Sequence, residues 1–374
     1  MRINKNKVLE ALKKISSFTN PAGISPILGC TVFTFTPKDN SLRLMATDLS
    51  NYYWNRSEVE YHAGYPASKA EIMIDTKIAI NLLSTFTSND IEVTINPEAS
   101  TITFAAKDAE LTTSYMSADD FPMWPVNADK IKTIVKTDDK DIFITALKSI
   151  KYCILKEKVP AKAMFTGIHI DITENDVYIE ACDGKRAARA KYANAGNEQG
   201  SYLISSALLE RLPEKTAIEI QSDETYVGFK TDTEAYFTRF IEGKFPDVKA
   251  IIPTAYKVKV EIGATKMIDH LKVIETIAKD GDYTAKFDIS KNGIKFTTAA
   301  KTNKAKCEYK EAVTDGELDI NFNVKFFKEC LSALLNEKTE LKFTAQQGPV
   351  HVKEEKDGVE YDHVLMPVRP SFKV

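Results

Sequence analysis

Val177-Tyr178-Ile179-Glu180-Ala181-Cys182-Asp183 sets apolar side chains at alternate positions and ends on an acid. Alternation with period two marks a half-buried strand. Upstream, His169 to Ile172 has the same character, and Glu174-Asn175-Asp176 between the two supplies a polar turn. The figure occurs twice more. Thr31 to Phe35 turns through Asp39-Asn40 into Leu42-Arg43-Leu44-Met45-Ala46-Thr47-Asp48, and Phe287 to Ile289 turns through Lys291-Asn292-Gly293 into Ile294-Lys295-Phe296-Thr297-Thr298. One strand–turn–strand figure met three times in a chain of 374 residues points to an internal period.

Working outward, a further alternating strand recurs as Ile91-Val93-Ile95, Thr216-Ile218-Ile220 and Leu341-Phe343. Its last apolar residue falls at 95, 220 and 343, intervals of 125 and 123. A third landmark ends in proline: Asp120-Phe121-Pro122, Lys244-Phe245-Pro246 and Leu365-Met366-Pro367. Proline donates no N–H to a ladder, so these read as strand ends. Helical spacing fills the same two slots of each unit. The first slot holds the stripes Val8, Leu9, Leu12, Ile15, then Phe143, Leu147, Ile150, Ile154, then Met267, Leu271, Ile274. The second holds Ile78 to Phe86, Ala207 to Leu212 and Phe326 to Leu335. The fold class is therefore α+β, three tandem copies of one unit with two helices against antiparallel sheets, spanning 1–126, 127–253 and 254–374.

Composition excludes some functions and leaves others open. Apolar residues make up 43% and charged residues 28%, as in soluble globular proteins. No apolar run approaches the ~20 residues of a membrane span, and Met1-Arg2-Ile3-Asn4-Lys5 leads straight into an amphipathic segment unlike a secretory signal. Cys30, Cys153, Cys182, Cys307 and Cys330 are scattered, odd in number and form no CxxC, which suits reduced thiols in a cytoplasm. The net charge of −3 advertises no nucleic acid, yet a local basic stripe on an acidic body can still bind phosphate.

Enzyme signatures are missing. There is no Gly-rich phosphate loop, GxSxG or HExxH, and His62, His169, His270, His351 and His363 lie far apart without metal-ligand spacing. Asp48 and Asp183 recur after Thr47 and Cys182. They could be paired carboxylates, but their place in the repeat favours acids that cap a turn. Cys182 has no neighbouring histidine to activate it. The reading is a binding scaffold with no cofactor and no metal.

Over its whole length the chain resembles the bacterial sliding clamps, the β subunits of DNA polymerase III. Pro26-Ile27-Leu28, Ala46-Thr47-Asp48-Leu49 and Ser117-Ala118-Asp119-Asp120-Phe121-Pro122 look like that family's first domain. Ala181-Cys182-Asp183-Gly184-Lys185-Arg186, Phe240-Ile241-Glu242-Gly243-Lys244-Phe245-Pro246-Asp247 and Val364-Leu365-Met366-Pro367-Val368-Arg369 look like its later motifs. The resemblance implies clamp domains and two chains joined head to tail as a homodimeric ring. It implies helices around threaded duplex DNA, and polymerase and clamp loader attached through short apolar peptides. It also implies a cytoplasmic, nucleoid-associated protein. The alternative is a clamp-fold scaffold that binds proteins without encircling DNA.

Three sets of residues follow from the resemblance. Lys7, Lys13 and Lys14, then Lys148, Lys151, Lys156, Lys158 and Lys162, would face DNA, because lysine is a hydrated point charge suited to phosphate contacts that fix no register. Phe165, Cys182, Gly184, Lys185, Ala187, Pro246, Ile251, Val364, Met366, Val368 and Arg369 would line the partner-peptide pocket. Leu111 would meet Thr276 and Ile277 of a second chain at the dimer interface. This chain departs from the family at several places. Lys185 replaces a usual histidine, Ala187 a usual leucine, and Ala22-Gly23-Ile24 lacks a usual arginine. Pro370-Ser371-Phe372-Lys373-Val374 runs on past Arg369, where Phe372 could reach the pocket.

Overall fold

A computed structural model describes residues 1–22, 25–63, 68–107, 109–125, 128–136, 142–157, 159–211, 219–300 and 302–369. Gly23, Ile24, Val126, Lys158, Leu212, Thr216, Ile218 and the segment Pro370–Val374 lie outside them. Contacts group the chain into two units, Met1–Asp138 with Arg211–Phe240, and Asp139–Glu210 with Ile241–Val374. The sequence periods 1–126, 127–253 and 254–374 are thus cut differently by packing. The middle period divides because its strands complete the sheets on both sides.

In the first unit, helices α1 (Lys5–Ile15) and α2 (Thr76–Thr85) pack together. Helix α1 buries Val8, Ala11, Leu12 and Ile15 and leaves Lys7, Lys13 and Lys14 exposed. Burying such a leucine or isoleucine contributes about 1.5–3 kcal/mol. The central strand is Asn51–Glu60. Its first residues pair with Glu234–Arg239 in register Tyr53↔Tyr236, while Ser41–Thr47 runs antiparallel along it with Thr47 opposite Tyr52. Glu234–Arg239 belongs to the middle period and here finishes a sheet begun by the first. Phe18 stacks on Tyr53 at 4.8 Å, and the Arg211 guanidinium lies 4.6 Å over the Phe18 ring. An aromatic core thereby fixes the join.

The second unit repeats this design. Helices α3 (Ile142–Ile150), α4 (Ser206–Leu209), α5 (Val248–Ile251), α6 (Ala264–Ala278) and α7 (Val324–Ala333) accompany nine- and four-stranded antiparallel sheets. Arg186–Ala193 of the middle period pairs with Val359–Leu365 of the last, placing Ala187 opposite Val364. Met267, Leu271 and Ile274 of α6 are fully buried against Phe287, Phe296, Phe322 and Phe327.

Each second-slot helix follows a strand through a capping residue. Asp75, Ser205 and Asn323 accept backbone N–H groups of Ile78, Ala207 and Phe326. The three expected strand–turn–strand figures are all present. Asn40 and Gly293 take the left-handed conformation in their turns, at φ 47° and 103°. The proline landmark differs. Only Leu365 ends a strand, Val359–Leu365, whereas Phe121 and Phe245 sit in irregular backbone with buried rings. What recurs before the first two prolines is a buried aromatic anchor, and the ring needs no ladder to hold it. The α4 helix stops at Leu209, short of the expected Leu212, and α3 stops at Ile150 with Ile154 beyond it.

Candidate functional site

The turn Cys182–Arg186 organises the expected pocket. The Asp183 carboxylate accepts the N–H groups of Lys185 at 2.8 Å and Arg186 at 3.0 Å through Oδ1, and Arg186 Nε at 2.9 Å through Oδ2. Asp48 does the same for Ser50 and Asn51, so both recurring acids are turn caps. Gly184 takes φ +84° with open space around it, so the backbone conformation is what calls for glycine. Arg186 is buried, its guanidinium 4.2 Å over Phe326 and 5.1 Å over Tyr152, with Nη1 2.5 Å from Glu329 on α7. Desolvation opposes its charge, but its hydrogen bond to Glu329 together with the nearby negative charges of Asp183 and Glu329 outweighs that and raises its pKa. The turn is therefore held rigidly, and the Lys185 carbonyl it presents accepts the N–H of Met366 at 2.9 Å.

Beneath the turn lies an apolar cluster of Cys182, Ala187, Leu203, Phe245 and Val248, joined by partly buried Met164, Phe165, Ile241 and Ile252. Of the expected pocket residues, Phe165, Cys182 and Ala187 are members. Val364 abuts them by strand pairing, Met366 by its bond to Lys185, and Pro246 by following Phe245. Ile251 and Met366 show apolar surface, 43% and 45% exposed. Val368 is drawn instead to the Asn321 carbonyl at 2.9 Å, and Arg369 is exposed beyond it. Sequence reasoning missed Met164, Leu203, Ile241, Phe245, Val248, Ile252 and the anchor Arg186. Phe245, Ile241 and Arg186 stood inside quoted motifs; the others come from short turns and single strand positions that carry no period. Burial raises the Cys182 pKa, which keeps it a thiol and unsuited to nucleophilic work.

The first unit holds the repeat-equivalent place and sets aromatics there. Tyr52, four residues after Asp48, stands where Ala187 stands after Asp183, and Trp124, two after Pro122, stands where Val248 follows Pro246. Trp124 meets Tyr52 and Phe237 edge to face at 6.1 and 5.6 Å. Leu49 adopts φ 73° where the second unit has Gly184. Ala187 and Val248 thus stand in one copy where Tyr52 and Trp124 stand in the other.

The cationic faces are less uniform than the sequence suggests. Lys7, Lys13, Lys148, Lys151, Lys156 and Lys162 are exposed, and Lys158 lies outside the described residues. Lys14 is 3.7 Å from Glu234 and 3.9 Å from Glu10, which offsets part of its charge. Lys151 belongs to the 3₁₀ turn Lys151–Cys153, and Lys162 to Pro160–Phe165, the turn that delivers Met164 and Phe165 to the apolar cluster. On α6, Lys266 pairs with Glu311 and Lys272 with Asp269. Ala109–Ser114, carrying half-buried Leu111, ends the large sheet of the first unit; Thr276 is exposed and Ile277 half-buried on α6. Among the described residues no three His, Cys, Asp or Glu side chains are grouped to hold a metal, and no helix is long and apolar enough to cross a membrane.

Comparison with known proteins bears on this arrangement. Residues 249–369 match the family model for the DNA polymerase III beta subunit, C-terminal domain. The Beta sliding clamp of Chlamydia muridarum is 23% identical over 378 residues, covering 98% of each chain. That of Staphylococcus aureus is 20% identical over 311 residues, 80% of each. The beta subunit structure from Streptococcus pyogenes superposes with a TM-score of 0.87 at 17% identity, and that from Thermotoga maritima with 0.82 at 19%, both covering 99% of each chain. The chain has the fold of those β-subunit structures throughout its length.

Proposed function

We infer that this chain is a DNA sliding clamp of the polymerase III β-subunit kind, acting by encirclement and tethering and not by catalysis. Coverage carries the reading: proteins named as beta sliding clamps align with 98% of the chain, end to end and in one order. The site geometry supports it. Lysines stand exposed on helix faces and turns, the second unit carries an apolar cluster edged by exposed Ile251 and Met366, and the recurring acids Asp48 and Asp183 cap turns.

In this reading the three sequence periods are clamp domains, and two chains close a ring. The edge strand Ala109–Ser114 with Leu111 meets the α6 face carrying Thr276 and Ile277 of a second copy. Pairing relieves an edge that would otherwise aggregate. Lys7, Lys13, Lys148, Lys151, Lys156, Lys158 and Lys162 touch phosphates, with Lys14 contributing less. Polymerase and clamp loader dock short apolar peptides in the pocket of the second unit, and the protein works in the cytoplasm on the nucleoid.

The test replaces Lys148, Lys151, Lys156 and Lys158 with alanine and measures stimulation of the cognate polymerase on primed circular DNA. Stimulation falls and becomes steeply salt-sensitive if these lysines contact phosphate. Unchanged stimulation refutes the DNA-encircling role. Sedimentation gives a mass near twice 41.8 kDa for the closed ring.

A further inference from the structure

We propose that the pocket of the second unit selects peptides whose apolar anchor is flanked by acidic side chains, an inference that rests on the pocket assigned above. The sign of its rim carries the argument. Lys185 follows Gly184 in the organising turn, Lys244 precedes Phe245, Lys249 follows Val248 on α5, and Arg369 lies three residues past Met366. All four are exposed, and none forms an ion pair with another described residue. Lys185 only leans over the Phe326 ring, 5.6 Å from its centre.

The carboxylates of the same elements are already engaged. Both oxygens of Asp183 accept hydrogen bonds within the turn, Asp247 caps α5 by accepting the Ala250 N–H at 3.2 Å, and Glu329 holds Arg186. Glu242 and Asp247 remain exposed beside them. Four unpaired cations thus outnumber two exposed carboxylates on a chain of net charge −3. Elsewhere in this unit Lys266, Lys272, Lys286 and Lys353 each sit against a carboxylate, whereas others, Lys295 and Lys304 among them, form no ion pair with a described residue. Between the cations, Ile251 and Met366 expose apolar surface, from which a phosphate backbone gains nothing and a peptide anchor gains burial. Each rim pair is exposed and individually weak, but two or three acting together give about a tenfold preference at low salt.

Two labelled peptides with the same Leu-Phe anchor, one flanked by aspartates and the other by lysines, are titrated against the full chain by fluorescence anisotropy. At about 50 mM salt the acidic peptide binds about tenfold tighter, and at about 500 mM the difference shrinks below about threefold. The doubly substituted chain Lys185→Glu, Lys249→Glu inverts the preference. Equal binding of both peptides overturns the inference and leaves the pocket standing, whereas no binding of either overturns the pocket itself. Displacement of the acidic peptide by a short DNA duplex also overturns the inference, because the rim would then read phosphate.

Discussion

His363 makes the second unit acid-sensitive, in a way the structure allows to be sized. The side chain is 1% exposed on the strand Val359–Leu365; its Nδ1 shares a 3.1 Å hydrogen bond with the Tyr152 hydroxyl, and its Nε2 has no partner. Burial pushes its pKa down from 6.5 to about 4, against the pull of neighbouring Asp362. Protonation would place a charged N–H where no acceptor waits. The unfolded chain binds this proton more readily than the folded one, so the stabilisation is complete above pH ~6.5 and is lost as pH falls toward ~4. The full loss is about 3 kcal/mol, and about 2 kcal/mol of it is gone by pH ~5. His363→Asn keeps a polar group near Tyr152 and removes the titration. Amide hydrogen exchange across Val359–Leu365, followed from pH ~7 to ~5 and corrected for intrinsic rates, should steepen in the parent and flatten in the variant. Trp54 and Trp124, the chain's two tryptophans, both lie in the first unit, so their fluorescence in urea serves as a control that the variant leaves unmoved. Equal pH dependence of exchange in parent and variant would refute the reasoning.

Three further outcomes are expected. Asp183→Ala strands buried Arg186 beside a single remaining carboxylate and frees two N–H groups. It should cost about 3–5 kcal/mol in urea unfolding followed by circular dichroism, and a cost below about 1 kcal/mol would count against the turn as organiser. Ile251→Asp with Met366→Asp changes exposed positions only, so thermal stability should hold while binding of an apolar peptide weakens at least about tenfold by calorimetry. Ile277→Asp introduces charge at the proposed chain–chain contact and should shift sedimentation at micromolar protein toward the 41.8 kDa monomer; a persisting dimer would place the contact elsewhere.

Much of the fold was legible because periodicity is a local property of sequence. The stripes Val8–Leu12–Ile15 and Met267–Leu271–Ile274 turned inward as spacing demands, and Asp48 and Asp183 cap turns as short acids do. What escaped was decided by partners far along the chain. Nothing near Asn51–Glu60 announces that Glu234–Arg239 will lie beside it, and nothing near Lys14 announces Glu234. The pocket was half legible. Its strand and turn residues carry motifs, but Leu203, Ile252 and Met164 reach it from elements too short to show a pattern, and the aromatic pair in the first unit became visible only when Tyr52 and Trp124 were seen to touch.

The divided middle period has a consequence during synthesis. Tyr53 must wait for Glu234, 181 residues later, before its strand gains its neighbour. At about 5–20 residues per second the ribosome takes about 9–36 s to deliver it. Through that interval the nascent first unit carries a bare edge rich in tyrosine and tryptophan, Asn51-Tyr52-Tyr53-Trp54, of the sort that seeks a strand from any source. The pause is written into the order of the strands, and slower translation lengthens it.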